Sequence, residues 1–417
     1  MNLWLFYCKI LFMNERVFDR VINKNIRIAG VNFKIVDLLF IICLMAFGWI
    51  IRIDLFPISS ADYEGFLRPW MDEIRAGGGF PSLAKEISNY NSPYMYLMCL
   101  VSVITDDSFT GLKLVSYIFD FIASIGGLLV ILTLTKNVRK AIITMGVILL
   151  SPAVLINSGY WVQCDIIYSC FIIYALYFLA RDKGRACLIC TGIAISFKLQ
   201  GAFFLPFLVI MWLKNESVKF RYFIWIPIVY FLMEVPAWLC GRPLMDLLRI
   251  YFDQADFYPW GSLNYPNLYY LIDETMDGWH HIDEFGSAGM MLTIALLGLL
   301  AYYMYTKKFK MINEIKIMTA LLTVHIVVYT LPHMHDRYGF LLDIIAIFLA
   351  VYNPKRIWLA CSYMLISILS AMPYLTGQQV IKLKYVAIFS GAILVYIGYN
   401  LYKLIADTSL ETIENEQ

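Results

Sequence analysis

The chain has 417 residues, 60% hydrophobic and only 15% charged, with a formal net charge of +2. Soluble domains carry about 45–50% apolar and about 25% charged residues, so this composition excludes a soluble α/β enzyme. The near-neutral balance also gives no bulk electrostatic case for a nucleic-acid partner.

Met1–Phe12 is apolar but too short to span a bilayer, and no small-residue cleavage site follows, so no cleavable signal peptide is expected. Met13, ahead of Asn14, Glu15 and Arg16, is an alternative start. Residues 1–32 form a basic leader with Arg16, Arg20, Lys24 and Arg27, followed by Lys34. By the positive-inside rule the N-terminus is therefore expected inside. Val36–Ile51, Phe121–Thr135, Ile166–Ala180, Phe223–Leu239, Ala288–Tyr305 and Tyr385–Tyr402 are the clearest apolar runs. The first span ends near Asp54, and residues 55–110 form a long outside loop. Within it, Glu64–Ala76 has the apolar spacing of an interfacial helix. Tyr94–Ile104, short and flanked by polar residues, reads as a second interfacial or re-entrant helix.

That reading fixes the parity downstream. The basic turns Lys136–Arg139–Lys140, Arg181–Lys183–Arg185, Lys214–Lys219–Arg221, Lys307–Lys308–Lys310 and Lys355–Arg356 then all fall inside. To hold this pattern, Cys187–Leu213 must be two short helices broken near Lys198, where Gln200 and Gly201 suit a break. A second outside loop, residues 240–285, carries the amphipathic stretch Leu244–Phe252. The expected fold is an all-α polytopic membrane bundle of about a dozen transmembrane helices, with both termini cytoplasmic. A membrane domain over residues 33–352 would be followed by generic spans at 353–403 and a tail at 404–417.

The cysteines lie mostly in apolar runs, where they act as small core residues. Cys187 and Cys190 have CxxC spacing but no matching partners. His333 and His335 alternate without a carboxylate set, so no zinc site is expected. His280, His281 and His325 form no ligand pattern.

The polar residues concentrate on the outside face. They form six clusters: Ser60-Ala61-Asp62-Tyr63-Glu64, Asn91-Ser92-Pro93-Tyr94, Asn157 to Asp165, Phe197-Lys198-Leu199-Gln200, Trp260 to Asn267, and Pro332 to Tyr338. Ionisable groups near membrane depth are costly and mark functional sites by default. Plainer alternatives stand beside that reading. Asp62 and Asp165 could cap helices, Lys198 could snorkel, Arg337 could pair only with Asp336, and the loop aromatics could form an interfacial belt.

In this order the motifs resemble membrane glycosyltransferases of the GT-C fold that use a polyprenyl-phosphate sugar. The chain is similar to bacterial relatives of the glycosylphosphatidylinositol mannosyltransferase II family and to the dolichyl-phosphate-glucose-dependent glucosyltransferases. The resemblance runs from about Phe33 to about Tyr352. Asp62 matches the acidic residue of the first outside loop, and Asn91-Ser92-Pro93-Tyr94 matches the Tyr-Pro-Pro or Tyr-Ser-Pro start of the second loop helix. Trp161-Val162-Gln163-Cys164-Asp165 matches Trp-Gly-Gln-x-Asp, with Val162 in place of Gly. Phe197-Lys198-Leu199-Gln200 matches Phe-Lys-x-Gln, and His333-Met334-His335-Asp336-Arg337 matches His-x-His-Glu-Arg/Lys, with Asp for Glu.

The resemblance implies an inverting transfer of one hexose, mannose-like, from a polyprenyl-phosphate sugar to an envelope glycan or lipid-linked acceptor. The reaction would take place on the non-cytoplasmic face of a bacterial plasma membrane. Asp62 would be the general base. Arg337, Lys198, His335 and His333 would hold the donor phosphate. Glu64, Tyr63, Trp161, Gln163, Asp165 and Gln200 would position the acceptor or support these groups. No cofactor and no divalent metal is expected to be required. The competing classes are a lipid-linked sugar flippase or transporter and a polysaccharide polymerase or ligase.

Overall fold

The computed structural model describes residues 19–28, 31–255, 261–272 and 282–414. Met1–Phe12, Met13, Arg16, Trp260, His280 and His281, all singled out above, lie outside the described residues. Where no water can satisfy the backbone, a spanning chain must pair its own N–H and C=O groups, and apolar runs of this length do so as helices. The protein is an all-α membrane protein.

A two-stranded antiparallel ladder, β1 (Asn25–Ile28) with β2 (Val31–Lys34), leads into α1 (Ile35–Leu55). The Lys34 backbone N–H donates to Asp37 Oδ2 at 2.9 Å and so helps to cap that helix. The first long loop holds a π-turn (Tyr63–Leu67), α2 (Arg68–Ala76) and α3 (Ser92–Ile104). Next come α4 (Ser108–Thr135), α5 (Val138–Leu150, continued by turns to Tyr160), α6 (Asp165–Leu179) and α7 (Gly184–Phe197). A 3-10 turn (Leu199–Phe204) then starts α8 (Leu205–Leu213), and α9 (Trp225–Leu239) follows. In the second loop lies α10 (Leu244–Ala255), and after it α11 (Ile282–Thr306), α12 (Asn313–Thr330), α13 (Phe340–Tyr352), α14 (Ile357–Thr376) and α15 (Leu383–Glu414).

Seven stretches among the described residues are helical, long and apolar enough to cross a membrane: α1, α4, Val138–Tyr160, Phe220–Leu239, Phe285–Thr306, Pro354–Thr376 and Leu383–Ser409. Only 11% of the apolar window of α1 is buried, against 67% of Val138–Tyr160, so α1 faces lipid while the second packs in the centre. α13 is shorter but buried at every position from Phe340 to Ala350, the mark of a core helix rather than a surface one. The break expected near Lys198 is present between α7 and α8. Gly201 is needed there because a Cβ would stand 2.7 Å from the Ile195 backbone nitrogen.

The bundle has two chemically different ends. At one, Lys140 Nζ donates to the Tyr352 carbonyl (2.9 Å) and Lys214 Nζ to that of Lys307 (3.0 Å), while Asn353 bonds Glu314 (2.8 Å). The basic turns therefore gather there. At the other end meet the C-terminal ends of α1, α7, α12 and α14 and the N-terminal ends of α6 and α13.

Two buried cations fix the geometry near that second end. Arg52 of α1 lies fully buried and grips Asp120 of α4 through Nε and Nη2 at 2.9 and 2.8 Å. Ser158 donates to the same carboxylate oxygen at 2.7 Å. Lys113 of α4 donates to the carbonyls of Leu55, Phe56 and Ile58, at and just beyond the C-terminal end of α1, where carbonyls lack partners within the helix. Asp120→Ala, which leaves the Arg52 guanidinium buried and unpaired, is expected to cost about 3–5 kcal/mol. That loss should appear as a lowered unfolding midpoint in detergent. Restoring much of it with Arg52→Met in the same chain would verify the pairing, and an unchanged midpoint in Asp120→Ala would refute it.

Candidate functional site

A cavity of about 470 Å³ opens at the second end of the bundle. Its polar wall includes Asp62, Gln163, Lys198, Gln200, Asn264, His333, His335, Asp336 and Arg337. Trp70 and Tyr251 from the loop helices, and Tyr90 from the segment before α3, help close it. Such a size and mixed lining suit a small-molecule site.

Asp62 stands at the head of the π-turn and makes no helix-capping bond. Ser60 caps in its place: its Oγ accepts from the Tyr63 backbone N–H at 3.1 Å and donates to the Trp161 carbonyl at 2.7 Å. The Asp62 carboxylate is thereby free to face the cavity. Gln163 Nε2 donates to its Oδ2 at 2.5 Å, Tyr374 OH donates to Oδ1, and Arg337 Nη1 lies 3.4 Å from Oδ2.

Gln163 and Asp165 owe their placement to a strained turn. Val162 has φ +60°, a region costly for a β-branched residue and easy for glycine, which the resembled motif carries at this position. Strain of this kind costs on the order of 1–3 kcal/mol and persists only where the surroundings impose it. Here Asn157 imposes it, accepting from the Asp165 backbone N–H at 3.2 Å while its amide donates to Asp165 Oδ2 at 2.7 Å. Tyr90 OH donates to Gln163 Oε1 at 2.9 Å, and burial pushes that phenol well above its ordinary pKa, so it keeps its proton.

Lys198 is buried at the α7–α8 break and bonds Asp165 Oδ1, so it does not snorkel. Arg337 does more than pair with Asp336. Its Nε is 3.5 Å from Asp165 Oδ2, its Nη1 is 3.8 Å from Asp336 Oδ1, and its guanidinium lies 5.4 Å from the Trp161 ring centroid. Two cations are thus interleaved with the carboxylates of Asp62, Asp165 and Asp336.

The loop from Pro332 to Tyr338 is held by a short parallel pairing of β3 (Ser262–Leu263) with β4 (Met334–His335). The His333 backbone N–H donates to the Gly261 carbonyl at 2.9 Å, and Ser370 Oγ bonds the carbonyls of Asn264 and Asp336 at 2.8 and 2.7 Å. Burial, with Arg337, Lys198 and His333 nearby, holds His335 well below its ordinary pKa. At neutral pH it is therefore a neutral imidazole, able to donate a hydrogen bond without adding charge.

Of the residues selected from sequence, Asp62, Gln163, Lys198, Gln200, His333, His335 and Arg337 line the cavity. Asp165 and Trp161 sit directly behind it. Glu64 is elsewhere: its side chain is half exposed and engaged with Arg68 and Ser59 at 2.9 Å each. The ring of Tyr63 packs on Phe109, not on the cavity. Tyr90, Asn157 and Tyr374 were not singled out as site residues. Tyr374 comes from the spans read as generic, and its ring stacks on Trp161 at 5.4 Å. The signal that could have found it is Pro373-Tyr374 at a helix end, the same pair as Pro93-Tyr94.

No protein-family model matches the chain, and no curated protein sequence matches it.

Proposed function

We propose that the protein is an inverting membrane glycosyltransferase that moves a single hexose from a polyprenyl-phosphate sugar to a glycan or lipid-linked acceptor. The observation that carries this reading is one cavity, at the end of a membrane bundle, whose wall holds the Asp62 carboxylate together with Arg337, 3.4 Å from it, and Lys198. In this reading the bundle is GT-C-like. Its seven long helices, together with α6, α7, α8, α12 and α13, make twelve spans. α3 is re-entrant, the basic end and both termini are cytoplasmic, and the cavity faces outside, as the basic turns favour.

In the proposed reaction the acceptor hydroxyl oxygen forms a bond to the anomeric carbon. The bond from that carbon to the donor phosphate oxygen breaks, and its electron pair stays on the phosphate. Asp62 takes the hydroxyl proton, which requires a carboxylate within hydrogen-bond reach. The growing charge on the phosphate is met by the Arg337 fork and the Lys198 ammonium, with neutral His335 and His333 as donors. Charges already oriented in a site screened from water stabilise such a transition state without reorganising. Gln163 and Tyr374 hold Asp62 on the cavity wall.

The carboxylates predict a pH dependence. Burial pushes the Asp336 carboxyl up to about 7, the Arg337 guanidinium pulls it back, and Asp62 pushes it up again. Below about pH 7 Asp336 is neutral, and Asp62 and Asp165 balance Arg337 and Lys198. Above it a further negative charge opposes an incoming phosphate. The donor KM is therefore expected to increase as pH rises through about 7, by at most about tenfold per unit. Asp336→Asn should flatten that rise, and a profile indifferent to the substitution would remove Asp336 from this role.

The reading is tested by offering the purified protein a panel of radiolabelled polyprenyl-phosphate monosaccharides with a membrane-lipid extract as acceptor. Labelled product is expected with one donor. If none reacts and one instead crosses the bilayer of proteoliposomes, a lipid-linked sugar flippase replaces the enzyme.

A further inference from the structure

A second, smaller chamber shares Asp336 and Arg337 with the main cavity. Its volume is about 20 Å³, and its polar wall is Asn157, Trp161, Asp336, Arg337, Asp343 and Ser367. Four buried atoms of these residues have no hydrogen-bond partner among the described residues: Arg337 Nε, which lies 3.5 Å from Asp165 Oδ2, and Trp161 Nε1, Asp336 Oδ1 and Asp343 Oδ1. Trp161, Asp336 and Asp343 are 2%, 6% and 0% exposed, so bulk solvent does not serve them. Arg337 Nη1, at 3.8 Å from Asp336 Oδ1, is beyond hydrogen-bond distance. Among the described residues the Asp343 carboxyl is otherwise bonded by Ser367 Oγ alone, at 2.7 Å on its other oxygen. A carboxyl buried in an apolar helix on so thin a network needs a reason.

Size and chemistry together select the ligand. A space of about 10–15 Å³ holds one water, so this chamber takes one and little else. Its wall is mixed: an indole N–H that can only donate, and carboxyl oxygens that accept. A bare cation would suit the oxygens but would face that N–H and the Arg337 guanidinium. Water, with two hydrogens and two lone pairs, matches both kinds of group.

We propose that the chamber binds one water molecule, which accepts from Trp161 Nε1 and donates to Asp336 Oδ1 and Asp343 Oδ1. Through it Asp343 becomes a positioning residue. It ties α13 to Asp336 and to the indole ring beneath the Arg337 guanidinium, so that the orientation of Arg337 is set from behind the main cavity. This assignment does not depend on which reaction the main cavity performs.

The test is a high-resolution cryo-electron microscopy structure of the full chain in nanodiscs, as wild type, Asp343→Asn and Asp343→Leu. The expected wild-type result is a single peak about 2.6–3.2 Å from the three atoms. Asp343→Asn, which keeps an acceptor, should retain both the peak and the Arg337 rotamer. Asp343→Leu should lose the peak and turn Arg337 from Asp336. A dry chamber in wild type would overturn the proposal. So would a peak ligated by oxygens alone at about 2.0–2.6 Å, the signature of a cation, or loss of the peak in Asp343→Asn. If Asp343→Leu does not fold, the wild type and Asp343→Asn decide the matter.

Discussion

Asp62→Asn is expected to lower sugar transfer by about 10²–10⁴-fold while the protein still folds and binds donor. The rate estimate is what a positioned general base contributes. Folding should survive because Asn keeps an oxygen for the Tyr374 hydroxyl, and because Asp62 is one of three carboxylates around Arg337. With Asp62 neutral, Arg337 still has Asp165 and Asp336. Donor affinity should stay level or improve, since one negative charge has left the phosphate site. The measurements are turnover with radiolabelled donor, donor binding, and the unfolding midpoint. Turnover close to wild type would sink the assignment of Asp62 as the base, and a collapsed midpoint would mean its role is structural.

Arg337→Ala should act on both stability and binding. Removing the guanidinium leaves Asp62, Asp165 and Asp336 facing one another with Lys198 as the remaining cation of the cluster. Breaking a buried ion pair by deleting one partner costs about 3–5 kcal/mol. Asp62 and Asp165, opposed by Lys198 alone, would repel a phosphate, so the donor KM should rise by at least about a hundredfold, as expected when a charge-assisted contact is replaced by repulsion. Arg337→Lys separates the two effects. It restores charge, and with it most of the stability, but it cannot present a planar fork to two oxygens. A lowered midpoint recovered by Lys, with donor KM still raised, would support phosphate binding by Arg337. Wild-type kinetics in Arg337→Lys would remove the fork from the mechanism.

These two residues also show how far the site was legible in the chain. Asp62, Lys198 and Arg337 stood out because an ionisable group at the end of an apolar run is expensive, and that cost is visible in one dimension. Their partners were harder to see. Asp62 and Tyr374 are 312 positions apart, and nothing in the sequence near either names the other. Glu64 shows the opposite error. It shares a cluster with Asp62, but two positions along the π-turn place it on the other side of the axis, where it bonds Arg68 at 2.9 Å and leaves the cavity.

What the sequence determined by itself was the membrane, the apolar helices, the break at Lys198 and the gathering of polar groups at one end. All of these follow from local hydrophobicity and charge, which act within a helix length. Only the tertiary structure decided that Ser60, not Asp62, caps the π-turn, and that Arg52 and Asp120 are buried partners. It also decided that Tyr374 belongs to the site and that a small polar chamber lies behind Arg337. Each of these depends on which helices touch and which faces they present, and that is fixed by packing between segments far apart in the chain.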